Sequence, residues 1–212
     1  MGNRAIVKPK GRDIGVYLHW NGGIDSVTAF LEYCKLKGYR DFGGTYSDGY
    51  GIARFCQVVG NFFGGALSVG IETDVKETEE YAEWIDNGIY IVDGWDIVDR
   101  IGAPSGREGY DLYDMLNGID VKQPLNERLG EDYIKAEIVD ATDLEVGDKV
   151  YVLDYNNKPE VFTVVGIAPE GTFHNGDVSN LPFVDKYGRD GDYSWNVNNY
   201  LRGKVRKKGV ML

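Results

Sequence analysis

The chain has 212 residues, of which 42% are apolar and 27% charged, with a formal net charge of −11 at pH 7. That length suits one large domain or two small ones, and the composition allows a real core. The charge is uneven, with −5 over residues 1–100, −11 over 101–199 and +5 over 200–212; this balance disfavours general nucleic-acid binding, which needs Lys and Arg against phosphate, and permits a basic protein partner.

Asn3 to Val7 and Ile14 to Trp20 are predicted to be paired antiparallel strands, with Pro9, Gly11 and Asp13 making the turn between them. The stretch Gly15 to Ser26 is the most informative segment. An apolar strand runs into His19 and Trp20, then into the tight turn Asn21-Gly22-Gly23, then into a helix capped by Asp25 or Ser26. Glycines allow a sharp turn and a close backbone approach. Helix-start N–H groups point outward with the positive end of the dipole, a seat for an anion flanked by an aromatic plate and an imidazole. The same pattern also suits a plain strand-to-helix turn.

Val27, Phe30, Leu31 and Cys34 share the buried face of that helix, and Gly38 stops it. After a loop over Gly43, Gly44, Ser47, Asp48 and Gly49, a second helix places Ile52, Phe55, Cys56, Val59 and Phe63 on its apolar stripe, and Gly64-Gly65 ends it. Ala66 to Ile71 and Ile89 to Val92 read as strands. Glu72 to Glu83, between them, is strongly acidic and reads as an exposed loop or short helix.

The character changes near Gly102. Ala103-Pro104-Ser105-Gly106 reads as a linker and Tyr110 to Leu116 as a short helix. Ile134 to Val139, Lys149 to Leu153 and Val161 to Ile167 read as strands, with Asn156-Asn157-Lys158-Pro159 as a hairpin and Asn199 to Val205 as a closing strand. The expected fold is therefore α+β. N-terminal antiparallel strands with two helices occupy 1–102, a linker and short helix 103–132, and a β-rich small barrel of SH3-like type 133–212. Val150, Val152, Phe162, Val164 and Val205 are its expected core. The loop 169–196, with His174 and Trp195, is too long and polar for a simple turn.

Residues 2–98 resemble a widespread set of short proteins, of no established activity, encoded by bacteriophages and mobile elements. The matching pieces are Asn3 to Val7, Gly15 to Gly23, Asp25-Ser26-Val27 with Phe30-Leu31, Cys34-Lys35 and Gly38-Tyr39-Arg40. Tyr50-Gly51, Ala53-Arg54, Gln57-Val58, Asn61 to Gly65 and Ser68 to Ile71 complete the match. The resemblance implies a phage or prophage setting. The acidic insert and the β-rich half look like additions to the short form.

Motifs for catalysis are missing from the sequence. Two His and two Cys lack zinc-ligand spacing. Cys34 and Cys56 lie on apolar helix faces and read as reduced, buried thiols rather than nucleophiles or a disulfide. There is no nucleophile elbow and no P-loop. Arginine and aromatic residues do concentrate in the first half. Arg4, Arg12, Arg40 and Arg54 lie among Tyr17, His19, Trp20, Tyr39, Tyr46 and Tyr50. Guanidinium forks suit phosphate and aromatic faces suit bases.

The candidate ligand-binding residues are His19, Trp20, Asn21, Gly22, Gly23, Arg40, Tyr50 and Arg54, with Arg54 expected at the same end of the fold as the glycine turn. The reading is a non-enzymatic phage counter-defence protein that sequesters a small anionic, nucleotide-like ligand such as a host immune signal. It needs no cofactor or metal. One alternative is an acidic inhibitor of a basic host nuclease or effector, and a weaker one is a hydrolase of a nucleotide signal. No apolar run approaches the ~18 residues of a membrane span, and no signal-peptide core opens the chain. The sequence thus reads as cytoplasmic in a bacterial host, off the membrane, with a homo-oligomer allowed.

Overall fold

The computed structural model describes residues 2–43, 48–65, 68–102, 109–173, 177–186 and 200–209. Mixed α+β structure is found throughout, in two compact units, Met1–Arg128 and Leu129–Leu212. The expected linker residues Ala103 to Gly106, together with Tyr46, His174 and Trp195, lie outside the described residues.

The first unit is built on a five-stranded sheet of order β3-β2-β1-β4-β5. Its strands are β1 (Ala5–Pro9), β2 (Gly15–Leu18), β3 (Val69–Glu72), β4 (Ile89–Asp93) and β5 (Asp96–Ile101). The expected β1–β2 hairpin is present and antiparallel, but β1 also pairs in parallel with β4, so the sheet is mixed. All five β1 residues are buried, as a central strand covered on both faces requires. Strand β5 carries no apolar alternation that would have announced it: Asp96, Val98 and Asp99 are exposed. It forms because Gly94, at φ 67°, folds the chain back onto β4.

Helices α1 (Ile24–Leu36) and α2 (Asp48–Phe62) accompany this sheet. Val27, Phe30, Leu31 and Cys34 are all buried, as the helical period demands. Helix α2 packs on β2 and β3 and on α1, and Phe30 meets Phe55 and Phe62 edge-on at 6.4 and 5.1 Å. On the other face, Ile6, Ile89 and Ile91 pack against Val75, Ala82 and Ile85 from the acidic strap, whose short helix α3 spans Glu79–Ala82. The strap is thus an exposed acidic outer surface fixed by three apolar anchors.

The helix read as part of a connecting segment is α4 (Leu112–Asp120), and it packs on α1 within the first unit. Its ties are polar and buried. The Tyr33 hydroxyl donates to Asp120 at 2.6 Å, and Gln123 donates to the carbonyls of Val58 and Ile119. Asn61 donates to the Gln123 side-chain oxygen at 2.9 Å. Apolar periodicity gives no sign of such a network.

The second unit contains α5 (Glu131–Ile134) and a five-stranded sheet of order β6-β10-β7-β8-β9. The strands are β6 (Glu137–Asp140), β7 (Lys149–Leu153), β8 (Pro159–Ile167), β9 (Pro182–Asp185) and β10 (Lys204–Lys207). Helix α5 takes Ile134, expected to open the first strand, which instead begins at Glu137. Among the described residues no pairing joins the edges β6 and β9, so the sheet is open and the expected closed barrel is not formed. Strand β10 enters between β6 and β7, and β9, drawn from the long loop, supplies the far edge.

The expected core positions do cluster. Val150 and Val164 are buried with Leu144 and Val184, and Val152, Phe162 and Val205 are partly buried against them. The basic C-terminal stretch is largely satisfied within this unit. Lys204 pairs with Asp140 and Lys207 with Asp148, while Arg206 donates to the carbonyls of Tyr133, Ile134 and Ala136 where α5 ends.

A Cβ on Gly22 would stand 2.5 Å from the Asn3 carbonyl oxygen and 2.8 Å from the Ala5 nitrogen, whereas one on Gly60 in α2 meets nothing within 4 Å. Gly22→Ala is therefore expected to destabilise by about 1–3 kcal/mol or more, and Gly60→Ala to stabilise by about 0.5–1 kcal/mol. Thermal melts shifting in the same direction would contradict this packing. Phe162 is partly buried opposite Val150. Phe162→Ala should cost about 2 kcal/mol, below the ~3–5 kcal/mol of a fully buried phenylalanine, read by denaturant unfolding.

Candidate functional site

The glycine turn is built for packing. Asn21 adopts φ 52°, a left-handed conformation that Asn tolerates, and its amide reaches the Ser26 hydroxyl at 3.3 Å. The Gly22 N–H donates to the Asn3 carbonyl at 2.8 Å, and the Gly22 carbonyl accepts from the buried Tyr90 hydroxyl at 2.9 Å. Gly23 is the N-cap of α1 and makes no side-chain cap, which corrects the expectation that Asp25 or Ser26 caps the helix. Asp25 instead sits in the first turn. Its carboxylate accepts from the backbone N–H groups of Ser26, Gly109 and Tyr110. The positive end of the helix dipole therefore already faces a carboxylate, which repels a second anion. A cleft of about 430 Å³ adjoins it, lined by Ile24, Asp25, Thr28, Gly109, Tyr110 and Leu112.

The eight candidate residues separate into two groups. Arg40, Tyr50 and Arg54 gather around Tyr39, beyond the C-terminal end of α1. The Arg40 guanidinium lies 5.3 Å from the Tyr50 ring centre, and that of Arg54 5.1 Å from the Tyr39 ring centre. Tyr50 and Arg54 are four residues apart on α2 and so share one helix face. The Tyr39 backbone is held by Trp95, whose indole N–H donates to its carbonyl at 3.1 Å. Arg54 donates to the Gln57 side chain at 2.7 Å. Among the described residues no carboxylate pairs with Arg40 or Arg54.

His19, Trp20, Asn21, Gly22 and Gly23 lie at the opposite end of α1. That helix has 13 residues, which at 1.5 Å per residue is about 20 Å. Arg54 consequently does not reach the glycine turn, contrary to the expectation from sequence. His19 and Trp20 belong instead to a surface that sequence reasoning missed, because Trp84 and Tyr81 come from the distant acidic strap. The Tyr17 hydroxyl and His19 Nδ1 are 2.9 Å apart, Trp20 meets His19 edge-on at 4.9 Å, and Tyr17 meets Trp84 at 5.9 Å.

Arg4 stands beside Tyr17 and is neutralised by Asp86, with Nε–Oδ2 2.9 Å and Nη2–Oδ1 3.0 Å. Burial pushes the Tyr17 hydroxyl pKa up, Arg4 opposes this, and Asp86 and Glu72 add to it. Burial likewise raises the Cys34 and Cys56 thiols, which removes thiolate nucleophilicity at neutral pH. Among the described residues no group of three or more His, Cys, Asp or Glu could hold a metal ion, and no helix is long and apolar enough to cross a membrane.

The geometry thus defines a two-unit α+β protein with open arginine–tyrosine and aromatic surfaces. Comparison with known proteins found no matching family model, no similar curated sequence and no similar solved structure.

Hydrogen bonds from the Arg4 side chain hold the Asp86 carboxyl down at about 2. A depressed carboxyl adds stability that is present above its ordinary value near ~4 and is lost as pH falls through the folded value. Asp86→Asn should lower the melting temperature at neutral pH, and its gap from the parent should close as pH falls from about 4 to about 2. A gap that stays constant across that window would assign the effect to packing rather than charge.

Proposed function

We propose that this is a non-catalytic binding protein that captures a small anionic ligand of nucleotide class on the Arg40–Tyr50 and Arg54–Tyr39 surface. The observation that carries the reading is the pair of guanidiniums held on tyrosine rings without a carboxylate partner among the described residues, in a chain of net charge −11. Several other cations of the first unit are spent internally: Arg4 on Asp86, Lys8 on Glu77, Lys37 on the Glu127 carbonyl, Arg100 on the Asn87 carbonyl. A guanidinium already stacked on a ring is preorganised for phosphate and keeps its hydrogen-bonding fork. The adjoining ring faces suit a base.

The resemblance of residues 2–98 to phage-encoded proteins supports a counter-defence role in which a host nucleotide signal is sequestered. A sponge needs only affinity, and for a scarce signal that means a nanomolar Kd, about 12 kcal/mol. Calorimetry of the full chain against cyclic di- and trinucleotides and ADP-ribose derivatives tests this. Binding by one member is expected, weakened at least about tenfold by Arg54→Ala or Arg40→Ala, since charge-assisted hydrogen bonds contribute about 1.5–3 kcal/mol, and unaltered by Trp20→Ala. The ligand should return intact after heat denaturation. Absence of binding to every member at micromolar protein would sink the proposal, as would turnover of the ligand.

A further inference from the structure

On the face of the first sheet opposite α1 and α2, five rings follow one another as a continuous row. Trp20, His19, Tyr17, Trp84 and Tyr81 are spaced at centroid separations of 4.9, 6.1, 5.9 and 6.4 Å. Trp20 and Trp84 remain 44% and 41% exposed. The row lies toward the free edge of the sheet. Gly70 of β3 stands opposite Tyr17 and has no side chain to cover that ring.

Among the charged groups acting on Tyr17 and Tyr81, carboxylates outnumber cations. Arg4, beside Tyr17, is paired with Asp86. Glu72 and Asp74 act on Tyr81, raising its hydroxyl pKa further after burial has raised it, and Glu72 acts on Tyr17 in the same direction. Among the described residues no cation pairs with either carboxylate. Glu83, next to Trp84, is exposed as well.

We propose that this aromatic row is a docking surface for a basic segment of a partner protein, with arginine or lysine side chains laid on Trp84 and Trp20. Ring faces attract cations, most strongly on Trp, and exposed Trp is the residue type that anchors protein interfaces. The neighbouring carboxylates would complete the pairing at the rim and steer the encounter. They also argue against other occupants. An anionic ligand would be repelled, and a second copy placed symmetrically would bring a surface with the same acidic rim. The surface is independent of the Arg40–Arg54 group, which lies past the other end of α1.

The test is calorimetry of the full chain with a short capped peptide alternating arginine and serine, and with its aspartate–serine counterpart. Micromolar binding of the arginine peptide is expected, weaker at high salt, with none of the aspartate peptide. Trp84→Ala should weaken it about tenfold, Trp84→Phe should restore most of that, and Arg54→Ala should change nothing. Should Trp84→Ala fail to give a parent-like circular dichroism melt, Trp20→Ala carries the same expectation of weakened binding. The proposal is overturned if the parent does not bind, or if a folded Trp84→Ala or Trp20→Ala binds as the parent does, which would leave bulk charge as the cause. Equally fatal would be sedimentation showing self-association that Trp84→Ala abolishes.

Discussion

The close approach of the Gly22 backbone to β1 is the constraint on which the first unit depends. Its N–H and carbonyl are both used, by Asn3 and Tyr90, and its missing side chain lets the chain pass against Ala5. That contact fixes where β2 ends and where α1 begins. The direction of α1 then sets where Phe30, Tyr33 and Lys37 fall. Phe30 meets Phe55 and Phe62 of α2, Tyr33 meets Asp120 of α4, and Lys37 reaches the Glu127 carbonyl. A bulkier turn would displace α1 and loosen each of these ties.

Electrostatics then separates two kinds of surface. Cations close to the sheet are matched with acids, as Lys8 with Glu77 and Arg4 with Asp86, because a charge near a core costs too much unpaired. The strap from Glu72 to Glu83 keeps its unmatched carboxylates outside and sends Val75 and Ala82 inward, with Tyr81 partly buried against them and Ile85 as the third anchor just past its end. Beyond α1, Arg40 and Arg54 rest on tyrosine rings instead of carboxylates. Opposite charge preferences are therefore displayed at different places on one small unit, and the body of α1 keeps them apart.

The second unit follows a simpler logic. Its core is two small apolar clusters, one around Val150 and Val164 and another of Ala168, Val178, Phe183 and Tyr200. Strand β10 adds a single apolar residue, Val205, to that core, while its Lys and Arg side chains tie to Asp140, Asp148 and the end of α5. A strongly basic stretch becomes an interior strand of the sheet because neighbouring acids and carbonyls receive its charge.

The local elements were legible in the amino-acid sequence. The β1–β2 hairpin, the α1 and α2 faces, the Gly64-Gly65 stop, and the β7–β8 pairing with Val150 opposite Phe162 all follow from short-range period and turn chemistry. Of the candidate site, the sequence marked Arg40, Tyr50 and Arg54 by type, and they do gather. It also joined them wrongly to His19 and Trp20, because residue type carries no distance and a helix of 13 residues carries the chain from one end of the unit to the other. Tertiary structure alone decided the parallel pairing of β1 with β4, the strand β5 with its polar face, the buried Tyr33–Asp120 tie and the open edge of the second sheet. It alone set Trp84 and Tyr81 beside Tyr17. Each of these depends on residues far apart in the chain whose meeting is fixed by the packing of whole elements, which no local pattern records.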